Sequence, residues 1–176
     1  MKPIETEYNG DFFRSRLEAR WAVFFKTLAI RYEYEKEGFD IDGIRYLPDF
    51  YFPDYSCWVE IKSDSISENE HRKINSFSQA TKDKFILISG PPKEGQYTVQ
   101  MLANGNLDTE LLENLPAEHF TFALARRASK PELCLLCEYC AFNLINESTD
   151  DGDRLPITMG LEDAYKAASQ ERFESR

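Results

Sequence analysis

The amino-acid sequence predicts an α/β fold, a mixed sheet flanked by helices, with a less regular acidic extension on its C-terminal side. Three observations carry that reading. Apolar residues at spacings of three and four run from Phe13 to Leu28 and make one helical face. Short segments that alternate apolar and polar residues follow, separated by turn residues. A later continuous run, Phe85-Ile86-Leu87-Ile88-Ser89, is closed by Gly90-Pro91-Pro92 and suggests a buried strand. Helix, antiparallel strands, helix and buried strand, in that order, describe one layered domain.

The first helix is expected over residues 9–30. Asn9-Gly10-Asp11 offers a start, and Phe13, Leu17, Trp21, Phe24, Phe25 and Leu28 form the apolar face, with Arg14, Arg16 and Arg20 on other faces. Residues 31–62 read as strands. Phe39 and Ile41 alternate on one side of Asp42-Gly43, Ile44 and Tyr46 on the other, and Asp-Gly is a good hairpin turn. A second hairpin has arms 48–52 and 57–62 around Pro53-Asp54-Tyr55-Ser56. Residues 63–69 are polar and predict a loop, and residues 70–83 predict a helix, with Arg72, Lys73, Lys82 and Lys84 in or near it. Beyond the buried strand, Tyr97–Met101 predicts a strand, Phe120, Phe122 and Leu124 alternate, and Leu161, Ala164, Tyr165 and Ala168 mark a terminal helix over 160–173.

A chain of 176 residues allows one domain. We divide it into a core, residues 1–103, and an extension, 104–176, packed on the same domain. No apolar run is long enough to span a bilayer, and the N-terminal segment has no hydrophobic stretch of signal-peptide type. Four cysteines make no disulfide framework, which suits a reducing cytoplasm. The net charge is −10, which argues against a protein that grips nucleic acid by bulk attraction. Residues 1–103 hold 14 basic and 17 acidic side chains, net −3, and residues 104–176 hold 7 and 14, net −7. The extension therefore carries most of the acidity and is a candidate surface for a protein partner. A local basic groove in the core remains compatible with these numbers.

The informative segment runs from Tyr46 to Lys62. Paired as a hairpin with Asp54-Tyr55 at its tip, Phe52 faces Cys57, Phe50 faces Val59 and Asp49 faces Glu60. Side chains alternate faces along a strand. Phe50, Phe52, Cys57, Val59 and Ile61 then share one apolar face, and Asp49, Tyr51, Trp58, Glu60 and Lys62 share the other. Directly opposed like charges destabilise a strand pair, so two facing carboxylates need a reason. A divalent cation supplies one, because Mg²⁺ takes carboxylate oxygens and water and works beside phosphates. Lys62 points the same way and could orient a water or offset charge on phosphate oxygens.

Pro48-Asp49, ten intervening residues and Glu60-Ile61-Lys62 resemble the signature of the PD-(D/E)XK nuclease superfamily. The segment Phe13-Arg14-Ser15-Arg16-Leu17-Glu18-Ala19-Arg20-Trp21-Ala22 is similar to the first helix of a phage-type branch, and Ala164–Ala168 with Arg172-Phe173-Glu174 resembles its tail helix. The resemblance covers residues 12–92 well, 160–174 loosely and the intervening stretch hardly at all. It implies a restriction-endonuclease-like core and metal-dependent hydrolysis of DNA phosphodiesters. Asp49 and Glu60, helped by the Ile61 carbonyl, would ligate Mg²⁺ or Mn²⁺. Glu18 would hold a metal-bound water or a second metal, and Lys62 would position the nucleophilic water. Gln79 is a further candidate, in the helix where superfamily members often place a Gln or Lys. Phage or prophage origin and action in a bacterial host cytoplasm follow from the same resemblance.

Plainer readings stand beside these. Glu18 follows Ser15 at capping-box spacing. Arg14, Arg16, Lys73, Lys82 and Lys84 are candidates for phosphate contacts or ordinary surface charges. Cys134, Cys137 and Cys140 have the spacing of zinc or iron–sulfur ligands, but no fourth ligand is evident and apolar residues interleave them. Buried free thiols are the default there. The main alternative function is a non-catalytic nucleic-acid- or protein-binding module on the same fold.

Overall fold

The structure is a computed structural model that describes residues 4–41, 43–64, 66–81, 83–102, 121–127, 130–136, 141–143 and 160–173, with the backbone alone from 101 to 143. Asn9 and Gly10 both take positive φ, 55° and 92°. Two such residues in succession make a tight hairpin turn. The chain therefore begins with a hairpin, β1 (Thr6–Tyr8) against β2 (Asp11–Phe13), and not with the expected helix start. The first helix, α1 (Arg16–Thr27), opens two residues after Arg14. Ser15 is its N-cap, its hydroxyl accepting from the Glu18 amide at 3.2 Å. Phe13 still reaches the core, from the strand, because the inward position of β2 falls where a preceding helical turn would put it. The helix stops at Thr27, short of the expected residue 30, and Ala29 turns the chain at φ 56°.

The central sheet contains five strands in the spatial order β3 (Glu33–Tyr34), β6 (Phe50–Phe52), β7 (Cys57–Lys62), β8 (Lys84–Ser89) and β9 (Thr98–Leu102). Its β7–β8 pair is parallel and the other three pairs are antiparallel, so the sheet is mixed as expected. A parallel pair needs a crossover, and α2 (Glu68–Ala80) supplies it. Helix α2 starts earlier than the sequence pattern suggests, because Ser67, in the stretch expected to be loop, forms a capping box with Glu70. Lys84, expected in or near that helix, begins β8. A separate two-stranded hairpin, β4 (Phe39–Ile41) with β5 (Ile44–Tyr46), pairs Ile41 with Ile44, and the Asp40 carboxylate accepts from the Gly43 amide. The terminal helix α3 (Leu161–Gln170) and a three-stranded antiparallel sheet, β10 (Thr121–Arg127), β11 (Lys130–Leu136) and β12 (Ala141–Asn143), complete the described elements.

The period-two alternation of β7 divides the interior into two layers. Phe50, Phe52, Cys57, Val59 and Ile61 pack with Ile86, Ile88 and Val99 against α1 and α3. Trp58, Phe85 and Leu87 pack on the opposite side against α2 and the β4–β5 hairpin. The first layer is densely aromatic: Trp21, Phe24, Phe25, Phe50 and Phe52 are each fully buried. Helix α3 closes that layer through Leu161, Ala164 and Ala168, and the Arg20 guanidinium donates to the Ala168 carbonyl. Part of the extension is thus integral to the core. Burial pushes the Cys57 thiol up to about 12, which keeps it an inert core group. Among the described residues, no helix is long and apolar enough to cross a membrane.

Gly90 ends β8 at φ +104°, and its amide donates to the Lys62 carbonyl at 2.8 Å while its carbonyl accepts from Trp21 Nε1 at 3.0 Å. A Cβ there would run into the Gln96 carbonyl oxygen. Gly90→Ala should therefore destabilise the protein by more than about 2 kcal/mol, combining a strained φ with a backbone clash. Urea unfolding would show this as a lower midpoint, and an unchanged midpoint would contradict the crowding.

Candidate active site

The β6–β7 register is the one the sequence predicts: Phe50 opposes Val59, Tyr51 opposes Trp58 and Phe52 opposes Cys57. Continued by one residue, it sets Asp49 against Glu60, and by two, Pro48 against Ile61. Ile61 points its amide toward the β6 side, where it donates to Asp49 Oδ2 at 2.8 Å. The N–H and C=O of a strand residue face the same neighbour, so the Ile61 carbonyl faces that side too. Proline has no N–H to offer it. The Pro-Asp pair thus ends the backbone ladder: a carboxylate takes the place of a backbone acceptor, and no backbone donor comes from position 48.

Asp49 and Glu60 are buried, 3% and 4% exposed, and each oxygen of each carboxylate meets one donor. Asp49 Oδ1 accepts from Arg14 Nη2 at 2.9 Å. Glu60 Oε2 accepts from the Tyr46 hydroxyl at 2.9 Å, and Glu60 Oε1 pairs with Lys62 Nζ at 2.8 Å. Lys62 also lies 3.7 Å from Glu70, in the first turn of α2. Glu18 comes from α1 on the other side of Arg14. Its Oε1 accepts from the Ser15 hydroxyl at 2.6 Å, and its Oε2 accepts from the Arg14 amide at 3.1 Å and the Tyr34 hydroxyl at 2.6 Å. Arg14 Nε meets Glu35. Four carboxyl groups (Glu35, Asp49, Glu60, Glu70) therefore share two cations, Arg14 and Lys62, and Glu18 adds a fifth, held by a backbone amide and two hydroxyls, which leaves three formal negative charges.

The titration behaviour follows from this crowding. Burial, and then the charges of Glu60 and Glu18, push the Asp49 carboxyl well above its ordinary range, and the Ile61 amide and Arg14 only partly oppose them. Burial works to lower the Lys62 pKa, but Glu60, Asp49 and Glu70 outweigh it and the net shift is upward. In the metal-free protein these charges favour the ammonium form of Lys62. Burial and the adjacent Glu60 charge hold the Tyr46 phenol protonated, which keeps it a donor.

Hence the structure brings together Arg14, Glu18, Asp49, Glu60, Ile61 and Lys62 of the residues singled out from sequence. It adds Tyr34, Glu35, Tyr46 and Glu70. Tyr46 counts in the sequence only as an apolar member of a hairpin, yet it lies on an inward face with one polar atom needing a partner, and that was the available signal. Glu18 does not make the full capping box: its carboxylate reaches the Ser15 hydroxyl and the Arg14 amide. Arg16 and Lys73 are exposed, on α1 and α2. Gln79 is exposed in the last turn of α2, nine residues beyond Glu70 and so about 13 Å along the helix from the cluster. Lys84 pairs with Cys57 at the sheet end remote from Lys62, about 16 Å along the strand from Ser89. Lys82 lies outside the described residues, as do Cys137 and Cys140, while Cys134 is a strand position in β11.

Among the described residues, no three His, Cys, Asp or Glu side chains converge as a complete metal cage. Asp49, Glu60 and the Ile61 carbonyl nevertheless form an all-oxygen donor set. Such a set fits a hard divalent cation of the Mg²⁺ or Mn²⁺ kind, which commonly takes one or two carboxylates and completes its shell with water and phosphate. No family model, no curated protein and no solved structure matches the chain.

The raised Asp49 pKa carries a stability consequence. A carboxyl whose folded pKa exceeds its unfolded one favours folding below the unfolded value, and that contribution is lost as pH rises through the folded value. Asp49→Asn should therefore stabilise the metal-free protein at neutral pH, by about 1 kcal/mol. The gain should vanish below the ordinary carboxylate range. Denaturant melts from pH 3 to pH 8 would check this, and a variant less stable than wild type at pH 8 would contradict it.

Proposed function

We propose that the protein is a divalent-metal-dependent deoxyribonuclease of the PD-(D/E)XK type, with a restriction-endonuclease-like core. The observation that carries this reading is the pair of buried carboxylates, Asp49 and Glu60, set opposite each other at the end of the β6–β7 ladder beside Lys62, whose Nζ lies 2.8 Å from Glu60. The order α1, antiparallel strands, α2 and β8 supports it, since it is the order the sequence resemblance implies. The net negative cluster also supports it, because it lacks the positive charge that a bound divalent ion would bring.

Mg²⁺ or Mn²⁺ bound by Asp49, Glu60 and the Ile61 carbonyl would supply Lewis-acid polarisation of a phosphodiester and activation of water. The remaining work falls to the chain. Tyr46 holds Glu60 Oε2 and the Ile61 amide holds Asp49 Oδ2, so both carboxylates are oriented before substrate arrives. In the metal-free protein Glu60, Asp49 and Glu70 favour the ammonium form of Lys62. It orients the attacking water and offsets charge growing on the phosphate oxygens. Glu18 fixes the Arg14 backbone and adds negative charge behind Asp49, as a positioning residue.

Cleavage of labelled linear, nicked, flapped, branched and single-stranded DNAs in Mg²⁺ or Mn²⁺ tests the reading. Asp49→Asn and Glu60→Gln should each lower the rate by on the order of 10²–10³-fold or more. Lys62→Ala should do the same while leaving Mn²⁺ binding largely intact. Cleavage that persists in EDTA, or in either carboxylate variant, would return the site to the alternative of a non-catalytic binding module. Glu18→Gln separates structure from chemistry. The amide can still accept from Arg14 and Tyr34, so near-wild-type turnover would make Glu18 architectural, and a strong loss with an unchanged melting temperature would show that its charge is required.

A further inference from the structure

Arg14 occupies a position in the cluster where a protein cation and a metal ion would compete, as Lys62 does on Glu60 Oε1. Asp49 Oδ2 is committed to the Ile61 amide, which leaves Oδ1 as the oxygen that faces further charge, and Arg14 Nη2 sits on it at 2.9 Å. The two partners differ in freedom. The Asp49 side chain is 4% exposed and the Arg14 side chain 53%. The Arg14 backbone is fixed, its amide shared between Glu18 Oε2 and the Tyr34 hydroxyl. Its guanidinium has a second anchor, because Nε meets Glu35. Lys62 is placed differently: it stands two residues from Glu60 on the same strand face and pairs with Glu60 and Glu70, both from its own side of the site.

We propose that Arg14 is a positioning residue with two stations, one on Asp49 Oδ1 in the metal-free protein and one on a substrate phosphate when a divalent cation holds that oxygen. This rests on the divalent-site reading above and adds a coupling to it. In the first station Arg14 occupies Asp49 Oδ1 and competes with the cation for that oxygen. Displaced by the like charge of the ion, the guanidinium stays tethered through Glu35 at the rim of the site. There its planar fork suits two oxygens of one phosphate. Substrate binding through Arg14 is thereby conditional on cation occupancy. A chain with net charge −10 gains its phosphate contact only where the metal has already reversed the local sign.

The test uses Mn²⁺ binding, followed by the paramagnetic signal of free Mn²⁺, and the affinity for a labelled DNA oligonucleotide in Ca²⁺ or in EDTA. The proteins are wild type, Arg14→Gln and Arg14→Lys at pH 8. Arg14→Gln should bind Mn²⁺ about two- to fivefold more tightly, the scale of a half-exposed ion pair removed. It should bind DNA at least about tenfold more weakly in Ca²⁺, the scale of a lost charged hydrogen-bonding group, with less than a twofold change in EDTA. Arg14→Lys keeps the charge but not the fork, so its Mn²⁺ affinity should match wild type while its DNA affinity in Ca²⁺ falls. A merely structural Arg14 would instead lower the melting temperature and weaken every titration together. Equal or weaker Mn²⁺ binding by a folded Arg14→Gln, or a DNA defect as large in EDTA as in Ca²⁺, would overturn the two-station role alone. A wild-type protein that binds no Mn²⁺ would overturn the divalent-site reading with it.

Discussion

The structure turns on the point where β6 stops pairing with β7. A buried amide must find an acceptor, and a sheet normally supplies it from the neighbouring backbone. At Ile61 the neighbour would be Pro48, and the acceptor is instead the Asp49 side chain. That single substitution of carboxylate for carbonyl places a charge inside the fold, opposite Glu60 and within reach of Arg14 and Lys62. The surrounding groups follow as responses to that charge: Tyr46 donates to Glu60, Lys62 remains protonated, and Arg14 crosses from the first hairpin to cover Asp49.

Crowding of this kind is unfavourable for folding, and the rest of the domain offsets it. The layer between the sheet and α1 is built from large aromatic rings in edge-to-face and offset contact, among them Trp21 with Phe24 at 5.1 Å and Phe25 with Phe52 at 4.8 Å. Each fully buried ring contributes about 1.5–3 kcal/mol relative to exposure. The site lies at the margin of this packing, and its geometry is inherited from buried neighbours: Phe50, one residue after Asp49, and Val59, one residue before Glu60, are fully buried. A site on a mobile loop could not hold two like charges face to face.

Much of this was legible in the sequence because period-two alternation survives intact around the site. Counting outward from Pro53-Asp54-Tyr55-Ser56 set Asp49 against Glu60, and the structure has that register. The Asp42-Gly43 hairpin, the buried strand at Phe85–Ser89 and the terminal helix were legible for similar reasons: a strong turn, an unbroken apolar run, and apolar residues at 161, 164 and 168. The start of α1 was not, because Phe13 stands four residues before Leu17 and an inward strand residue mimics one more helical turn. Contacts between distant segments were also hidden. Nothing local in Arg14 or Glu35 shows that they meet, and the polar ends of Tyr34 and Tyr46 are masked by their apolar bodies.

The packing of α3 on α1 bears on how the protein is made. The Arg20 guanidinium holds a carbonyl 148 residues further along the chain, and Tyr165 lies against Phe24 at 5.1 Å with its hydroxyl on Tyr97. A ribosome releases these segments far apart in time, at about 5–20 residues per second. For several seconds the nascent chain carries Trp21 and Phe24 on a helix whose cover has not yet been synthesised. Apolar surface left uncovered in that way is what aggregation starts from and what chaperones shield.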